Sequence, residues 1–171
     1  MRHMLVLAIG NTLLSDDGVG QRVLRHLQTS GALPQGARAL DGGTLSFNLA
    51  PVIESCSALL VLDAANLGLR PGSTRCLDGD AMDEVLQRPG RSVHEVGLAD
   101  LLDIARLTGR LPARRALIGI QPAKVDWGED LSAEVSLAVP RAARIAADLL
   151  AAWSSASHLP PISQPMQVMA R

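Results

Sequence analysis

The sequence predicts an α/β fold in which a mostly parallel sheet lies between two layers of helices. Two observations lead to this class: short apolar runs are followed by polar or glycine-containing loops, and segments with helical spacing of apolar residues lie between those runs. Strands that alternate with helices pair through right-handed crossovers, which place helices on both faces of a sheet. The 171 residues fit one domain of ordinary size.

The strongest strand signals are apolar runs without polar alternation, which are typical of strands buried on both faces of a parallel sheet. These runs are Met4 to Ile9, Ala58 to Leu62 and Ala116 to Ile120. Weaker runs are Ala37 to Leu40 and Ser73 to Leu77. We expect the last of these to be an edge strand, because it is short and carries Arg75.

Apolar residues at helical spacing predict helices between the strands. The stripes are Val19, Val23, Leu24 and Leu27, then Leu98, Leu101, Leu102 and Ala105, then Ala142, Ile145, Leu149 and Trp153. We expect Pro140 to kink or divide the segment before the last stripe. Residues 154–171 are rich in Ser and Pro and bury little apolar area, so we predict a single domain over 1–153 and a flexible tail.

Composition excludes several classes of partner. Lys and Arg (16) nearly balance Asp and Glu (17), so the chain lacks the basic surface typical of nucleic-acid binding. Its two cysteines, Cys56 and Cys76, have neither zinc-ribbon nor disulfide-framework spacing. No apolar run approaches the ~20 residues of a membrane span, and the N-terminal run is too short for a signal peptide. We therefore expect a cytoplasmic protein without membrane insertion.

Carboxylates follow the predicted strands at the edge where open α/β sheets bind ligands. Asp16 and Asp17 lie in the loop after the first strand, Asp41 follows the second, and Asp63 follows the third. A later loop, which precedes a helix, adds His94. Carboxylate oxygens and an imidazole without a thiolate suit a borderline divalent ion such as nickel or zinc.

The same residues also have structural interpretations. Asp16 or Asp17 could cap the following helix, and Asp41 before two glycines is a natural turn former. His94 could form a hydrogen bond at a helix entry. Asp63 is harder to explain in this way, since a carboxylate at the end of an apolar strand is costly to bury unless something compensates its charge.

The order of these motifs resembles a known family. Residues 7–20 read LAIGNTLLSDDGVG, residues 41–44 read DGGT, residues 61–64 read VLDA and residues 94–98 read HEVGL. Together they closely resemble the hydrogenase maturation proteases over roughly residues 3 to 150. The Gln121-Pro122 and Asp126-Trp127-Gly128 segments are similar to the branch that serves membrane-bound uptake hydrogenases.

The resemblance implies a twisted five-stranded sheet between helical layers. It also implies a cytoplasmic endopeptidase that removes a C-terminal extension from the nickel-loaded precursor of a hydrogenase large subunit. By motif position, Asp17, Asp63 and His94 would read the nickel, which the precursor brings; zinc or another divalent ion could occupy the site in vitro. Asp41 is a further carboxylate discussed in this family as an acid or base, so the implied catalytic set is Asp17, Asp41 and Asp63. The chain departs from the family at Ala8, where glycine is common, and at Asp17, where glutamate is frequent.

Alternatives remain at the level of sequence. Either a carboxylate such as Asp41 or the metal itself could activate the attacking water. A non-catalytic nickel-binding maturation chaperone would use the same ligands. A nucleotide-binding module would share the initial strand, turn and helix, but the chain lacks G-x-G-x-x-G and places two carboxylates where a phosphate needs helix N–H groups.

Overall fold

The computed structural model describes residues 4–87 and 93–156, with side chains for residues 4–87 and 97–155. Strands and α-helices alternate along this part of the chain, except that two strands and then two helices follow one another in its middle. In order they are β1 (Met4–Ala8), α1 (Val19–Thr29), β2 (Ala37–Asp41), α2 (Ala50–Ser55), β3 (Ala58–Ala64), β4 (Thr74–Asp78), α3 (Gly79–Leu86), α4 (Val93–Leu107), β5 (Arg114–Ile120) and α5 (Ala133–Ala156). Short 3-10 turns, Ser15–Gly18 and Phe47–Leu49, precede α1 and α2.

The strands form one five-stranded sheet in the order β2-β1-β3-β5-β4. All pairs are parallel except β4 with β5. The runs without alternation became the interior strands β1, β3 and β5, and every residue of β3 is buried. The predicted edge position of β4 is also confirmed. Polar Thr74, Arg75 and Asp78 are tolerated there because a neighbouring strand covers only one side.

Helices cover both faces of the sheet, which confirms the three-layer architecture. On one face, α1 and α5 pack against Leu60 and Leu62 of β3. On the other, α2, α3 and α4 pack against Leu59 and Val61. Alternate residues of a strand point to opposite faces, so a single apolar strand contributes to both halves of the core. At Gly20 of α1, a Cβ atom would lie 2.3 Å from the carbonyl oxygen of Leu62, and glycine therefore permits the close contact of α1 with β3.

The helices differ from the sequence prediction in several places. The short helices α2 and α3 were not predicted. Pro140 was expected to kink or divide this segment; division is wrong, because α5 runs continuously through that residue, and a kink stays a prediction. Pro140 removes the hydrogen bond to the carbonyl group of Ser136, and both residues are exposed, so water can satisfy that group.

The C-terminal helix extends into the segment predicted to be a tail. It includes Ser154 to Ala156, whereas residues 157–171 lie outside the described residues, and their flexibility stays a prediction. Among the described helices, none is both long enough and apolar enough to cross a membrane.

Candidate active site

The turn after β1 folds tightly against Asp17. Gly10 has φ +133°, and a Cβ atom there would lie 1.9 Å from the carbonyl oxygen of Asp17. The N–H of Gly10 donates to the carbonyl oxygen of Gly43 at 2.9 Å, which joins the turn to the loop after β2. Only glycine fits this backbone and this space. The turn therefore brings the loop that follows Asp41 next to the backbone of Asp17.

The carboxylate of Asp17 is almost fully buried, at 3% exposure. One of its oxygens accepts a hydrogen bond from the N–H of Asn11 at 2.7 Å. The nearby Ser15 adopts φ +50°, which is unfavourable for a residue with a side chain. Its strained turn is held by two contacts with the loop after β5: Ser15 N–H donates to the carbonyl of Gly128, and Ser15 Oγ donates to the carbonyl of Asp126.

Asp16 connects this turn to the loop after β5, residues 121–132. The side chain is fully buried, and its oxygens accept four hydrogen bonds. The donors are Ala123 N (2.8 Å), Lys124 N (3.0 Å), Ser132 N (2.7 Å) and Ser132 Oγ (2.9 Å). Burial by itself raises the pKa of this carboxyl group, but the donated hydrogen bonds outweigh burial and hold the pKa below its usual value. The proposed capping of α1 is wrong for Asp16, because its oxygens bind this distant loop and neither the 3-10 turn nor α1 has a side-chain cap.

Asp41 is the last residue of β2 and forms the predicted turn. Its Oδ1 accepts hydrogen bonds from Gly43 N at 2.9 Å and from Gln21 Nε2 at 3.2 Å. Gln21 Nε2 also donates to the carbonyl oxygen of Gly10 at 2.8 Å. Gln21 therefore joins Asp41 to the turn that holds Asp17.

Gln21 was not predicted as a site residue, although the sequence carries a signal for it. Gln21 lies three residues before Leu24, which places it on the apolar face of α1. A polar residue on that face buries its amide group, which is costly unless the amide forms hydrogen bonds. It is only 9% exposed. Its Oε1 is buried and has no hydrogen-bond partner among the described residues.

Asp63 lies inside β3 and not after it, where the sequence had placed it. It pairs in register with Gly119 of β5 and is 1% exposed. Strand alternation places its side chain on the same face as Leu59 and Val61, toward α4. A buried carboxylate in an otherwise apolar strand carries a large desolvation cost. Contacts within the fold must therefore offset part of that cost.

The first turn of α4 contains His94, whose side chain lies outside the described residues. The helix begins at the carboxyl edge of the sheet: Gly97 lies beside Leu45, and a Cβ atom at Gly97 would be 3.4 Å from Leu45 Cδ1. Leu45 itself follows β2 in the chain and is strained, with φ +64°. The backbone of His94 is therefore at the same edge of the sheet as Asp63, on the face toward which Asp63 points.

Asp41 and Asp63 both lie at the carboxyl edge of the sheet, but their side chains are on opposite faces of it. Asp41 is opposite Ala8, and both Ala8 and the equivalent Leu62 face the α1 and α5 layer. Asp63 faces the α4 layer instead. Among residues with described side chains, no group of three or more His, Cys, Asp or Glu is arranged to hold a metal ion, and this set does not include His94. Apart from Asp16, which is bound to the loop after β5, the arrangement offers two buried carboxylates, Asp17 and Asp63, and one exposed carboxylate, Asp41.

Known proteins match this chain in both sequence and structure. The sequence model of the hydrogenase maturation protease family matches residues 21–149. The hydrogenase expression/formation protein HupD of Rhodobacter capsulatus is 36% identical over 88% of this chain and 72% of its own length. The hydrogenase 2 maturation protease of Escherichia coli is 32% identical over 72% of this chain and 76% of its own.

Solved structures agree with the sequence matches. The hydrogenase maturating endopeptidase HybD from Escherichia coli has a TM-score of 0.80 and 29% identity, over 91% of this chain and 94% of that one. The NiFe hydrogenase maturation protease HybD from Thermococcus kodakarensis has a TM-score of 0.74 and 35% identity, over 88% of this chain and 99% of that one. The chain therefore belongs to the hydrogenase maturation protease family.

Proposed function

We propose that this peptidase removes the C-terminal extension from the nickel-loaded precursor of a NiFe hydrogenase large subunit in the cytoplasm. Family membership supports the peptidase activity. The observation that carries the rest is the position of Asp17 and Asp63, at 3% and 1% exposure, at the carboxyl edge of the sheet, where open α/β sheets bind ligands. Carboxylate oxygens are ligands that nickel accepts, so a nickel-bearing substrate has matching chemistry for these two residues.

Nickel belongs to the substrate in this proposal. Asp17, Asp63 and His94 supply carboxylate oxygens and an imidazole, which are suitable ligands for nickel and for zinc in vitro. They complete the coordination of an ion that the precursor already holds. Cleavage then requires that the ion has been inserted, because the ion is the feature of the substrate that these residues bind.

Hydrolysis also needs a group that accepts a proton from the attacking water. Asp41 fits this role because its carboxylate is exposed, whereas all the hydrogen bonds described for Asp16 tie that residue to the loop after β5. Gln21 and Gly43 hold Oδ1 of Asp41 and so fix its orientation. In this scheme water attacks the carbonyl carbon of the scissile peptide bond, Asp41 takes the proton, and the same proton passes to the departing amine. The peptidase is then aspartic in type, with nickel as the recognised feature of the substrate.

The proposal is tested by incubating the protein with nickel-loaded and nickel-free precursor and weighing the products by mass spectrometry. We expect the extension to be removed from the nickel-loaded form alone. Asp63→Asn and His94→Ala should slow this removal by at least 100-fold, while Asp148→Asn, at an exposed position of α5, should not. Equal processing of both precursor forms would contradict the metal requirement. Binding of nickel-loaded precursor without any loss of mass would instead support the chaperone.

A further inference from the structure

Aromatic residues are rare in this chain, and most of them are exposed. The sequence contains two Trp, one Phe and no Tyr. Trp127 is 79% exposed and Phe47 is 71% exposed, whereas Trp153 packs against the core. Large aromatic side chains normally contribute to the core, since each buries a large apolar area. A chain with so few of them gains no core packing from Trp127 or Phe47.

Trp127 lies next to other exposed apolar side chains beside the candidate active site. Leu14 and Gly128 form a parallel bridge, so Leu13 and Trp127 are neighbours one residue earlier on each segment. Leu13 is 49% exposed, and Val125 on the same loop as Trp127 is 54% exposed. We call Leu13, Val125 and Trp127 the apolar rim.

The backbone beneath the apolar rim is firmly held. Asp16 binds the loop on both sides of Trp127, through Lys124 N and Ser132 N. Ser15 binds the carbonyl groups of Asp126 and Gly128, which flank Trp127 directly. An exposed aromatic side chain on a preorganised backbone loses little further entropy on binding. Residues that contribute most to binding at protein interfaces are often Trp, so an exposed Trp127 on a held backbone is suited to such a role.

We infer that the apolar rim is the docking surface for the hydrogenase large-subunit precursor, with Trp127 as its anchor. The inference rests on the proposed function. Its occupant is argued from position: Ser15 and Asp16 hold the Trp127 loop and directly precede Asp17, so the apolar rim adjoins the turn that carries Asp17, and a polypeptide bound at that turn would be within reach of the rim. An apolar segment of the precursor adjoining its nickel site is the matching chemistry.

A matched control lies at the opposite ends of the strands, where β3 begins. Leu107 is 88% exposed at the end of α4. The following residue, Thr108, donates its hydroxyl to Glu54 near the end of α2, just before β3 begins. Leu107 is therefore as exposed as Trp127 but distant from the candidate active site.

The first experiment compares Trp127→Ala, Trp127→Phe and Leu107→Ala in steady-state processing of nickel-loaded precursor. We expect Trp127→Ala to raise KM by about tenfold or more, as for a hot-spot residue, with kcat within about twofold of the wild-type value. Trp127→Phe should recover most of the affinity, and Leu107→Ala should match the wild type. Thermal melts of each variant verify folding. An unchanged KM for Trp127→Ala, or an equal rise for Leu107→Ala, would overturn the inference.

The second experiment observes docking without cleavage. The protein is labelled with 5-fluorotryptophan, which gives one fluorine signal for Trp127 and one for Trp153, assigned with the Trp127→Phe variant. Adding nickel-free precursor should shift or broaden the Trp127 signal and leave the Trp153 signal in place. A Trp127 signal that ignores the precursor, or that changes with concentration of the protein alone through self-association, would refute the inference. Failure of the proposed function would appear separately, as nickel-loaded precursor that docks but keeps its extension.

Discussion

Replacing Asp16 by alanine should destabilise the protein more than any other single change among the carboxylates at this edge. The substitution removes the acceptor of four hydrogen bonds, donated by Ala123, Lys124 and Ser132. Hydrogen bonds to a charged group contribute about 1.5 to 3 kcal/mol each, so the gross loss is roughly 6 to 12 kcal/mol. The donor residues are exposed or half-buried, and water can replace much of this. We therefore expect a net loss of about 3 to 5 kcal/mol in the free energy of unfolding.

The measurement is a urea titration followed by circular dichroism at neutral pH, with Asp17→Asn as the adjacent control. Asparagine at position 17 keeps an oxygen that can accept from Asn11 N, so we expect that variant to lose about 1 kcal/mol or less while processing of the precursor falls sharply. The opposite pattern is expected for Asp16→Ala, where lost activity follows lost stability. A change of less than about 0.5 kcal/mol for Asp16→Ala would refute the view that Asp16 holds the loop after β5.

Further outcomes follow from the same contacts. The pKa of Asp16 in the folded protein lies below its usual value. The ionised carboxylate therefore stabilises the fold above the unfolded-state pKa of about 3.9, and this stabilisation is lost as the pH falls through the folded-state pKa. In urea melts repeated at decreasing acidic pH, the stability of the wild type should therefore fall more steeply than that of Asp16→Asn. His94→Ala and Asp63→Asn should lower the rate of precursor processing far more than the free energy of unfolding. If Asp63 had only a structural role, its substitution would instead lower the free energy of unfolding by about 1 to 3 kcal/mol. Denaturant melts and processing assays on the same variants distinguish these two roles. Gln21→Leu should lower kcat by about tenfold with KM little changed and alter the pH profile of kcat, because Asp41 loses a donor to its Oδ1; a stable variant with the wild-type profile would contradict that role. Deletion of everything after Ala156 should leave the melting temperature and the processing rate near wild type, and a large drop in melting temperature would show that this segment packs on the domain.

The sequence by itself determined the features that depend on local pattern. Interior strands must be apolar on both faces, so β1 and β3 could be recognised as runs without alternation, and β4 as an edge strand from its length and Arg75. The family also followed from the order of its motifs, which the sequence and structural matches confirm.

Only the tertiary structure decided what the polar side chains contact. Asp16 looked like a helix cap, yet its partners Ala123 and Ser132 lie more than a hundred residues away in the chain. Gln21 contacts Asp41 only because α1 packs beside the end of β2. The register and alternation of the strands turn Asp41 and Asp63 toward different layers. The physical reason is that apolar periodicity records how much of a segment is buried, whereas a hydrogen bond between distant segments depends on how the packed layers bring its donor and acceptor together.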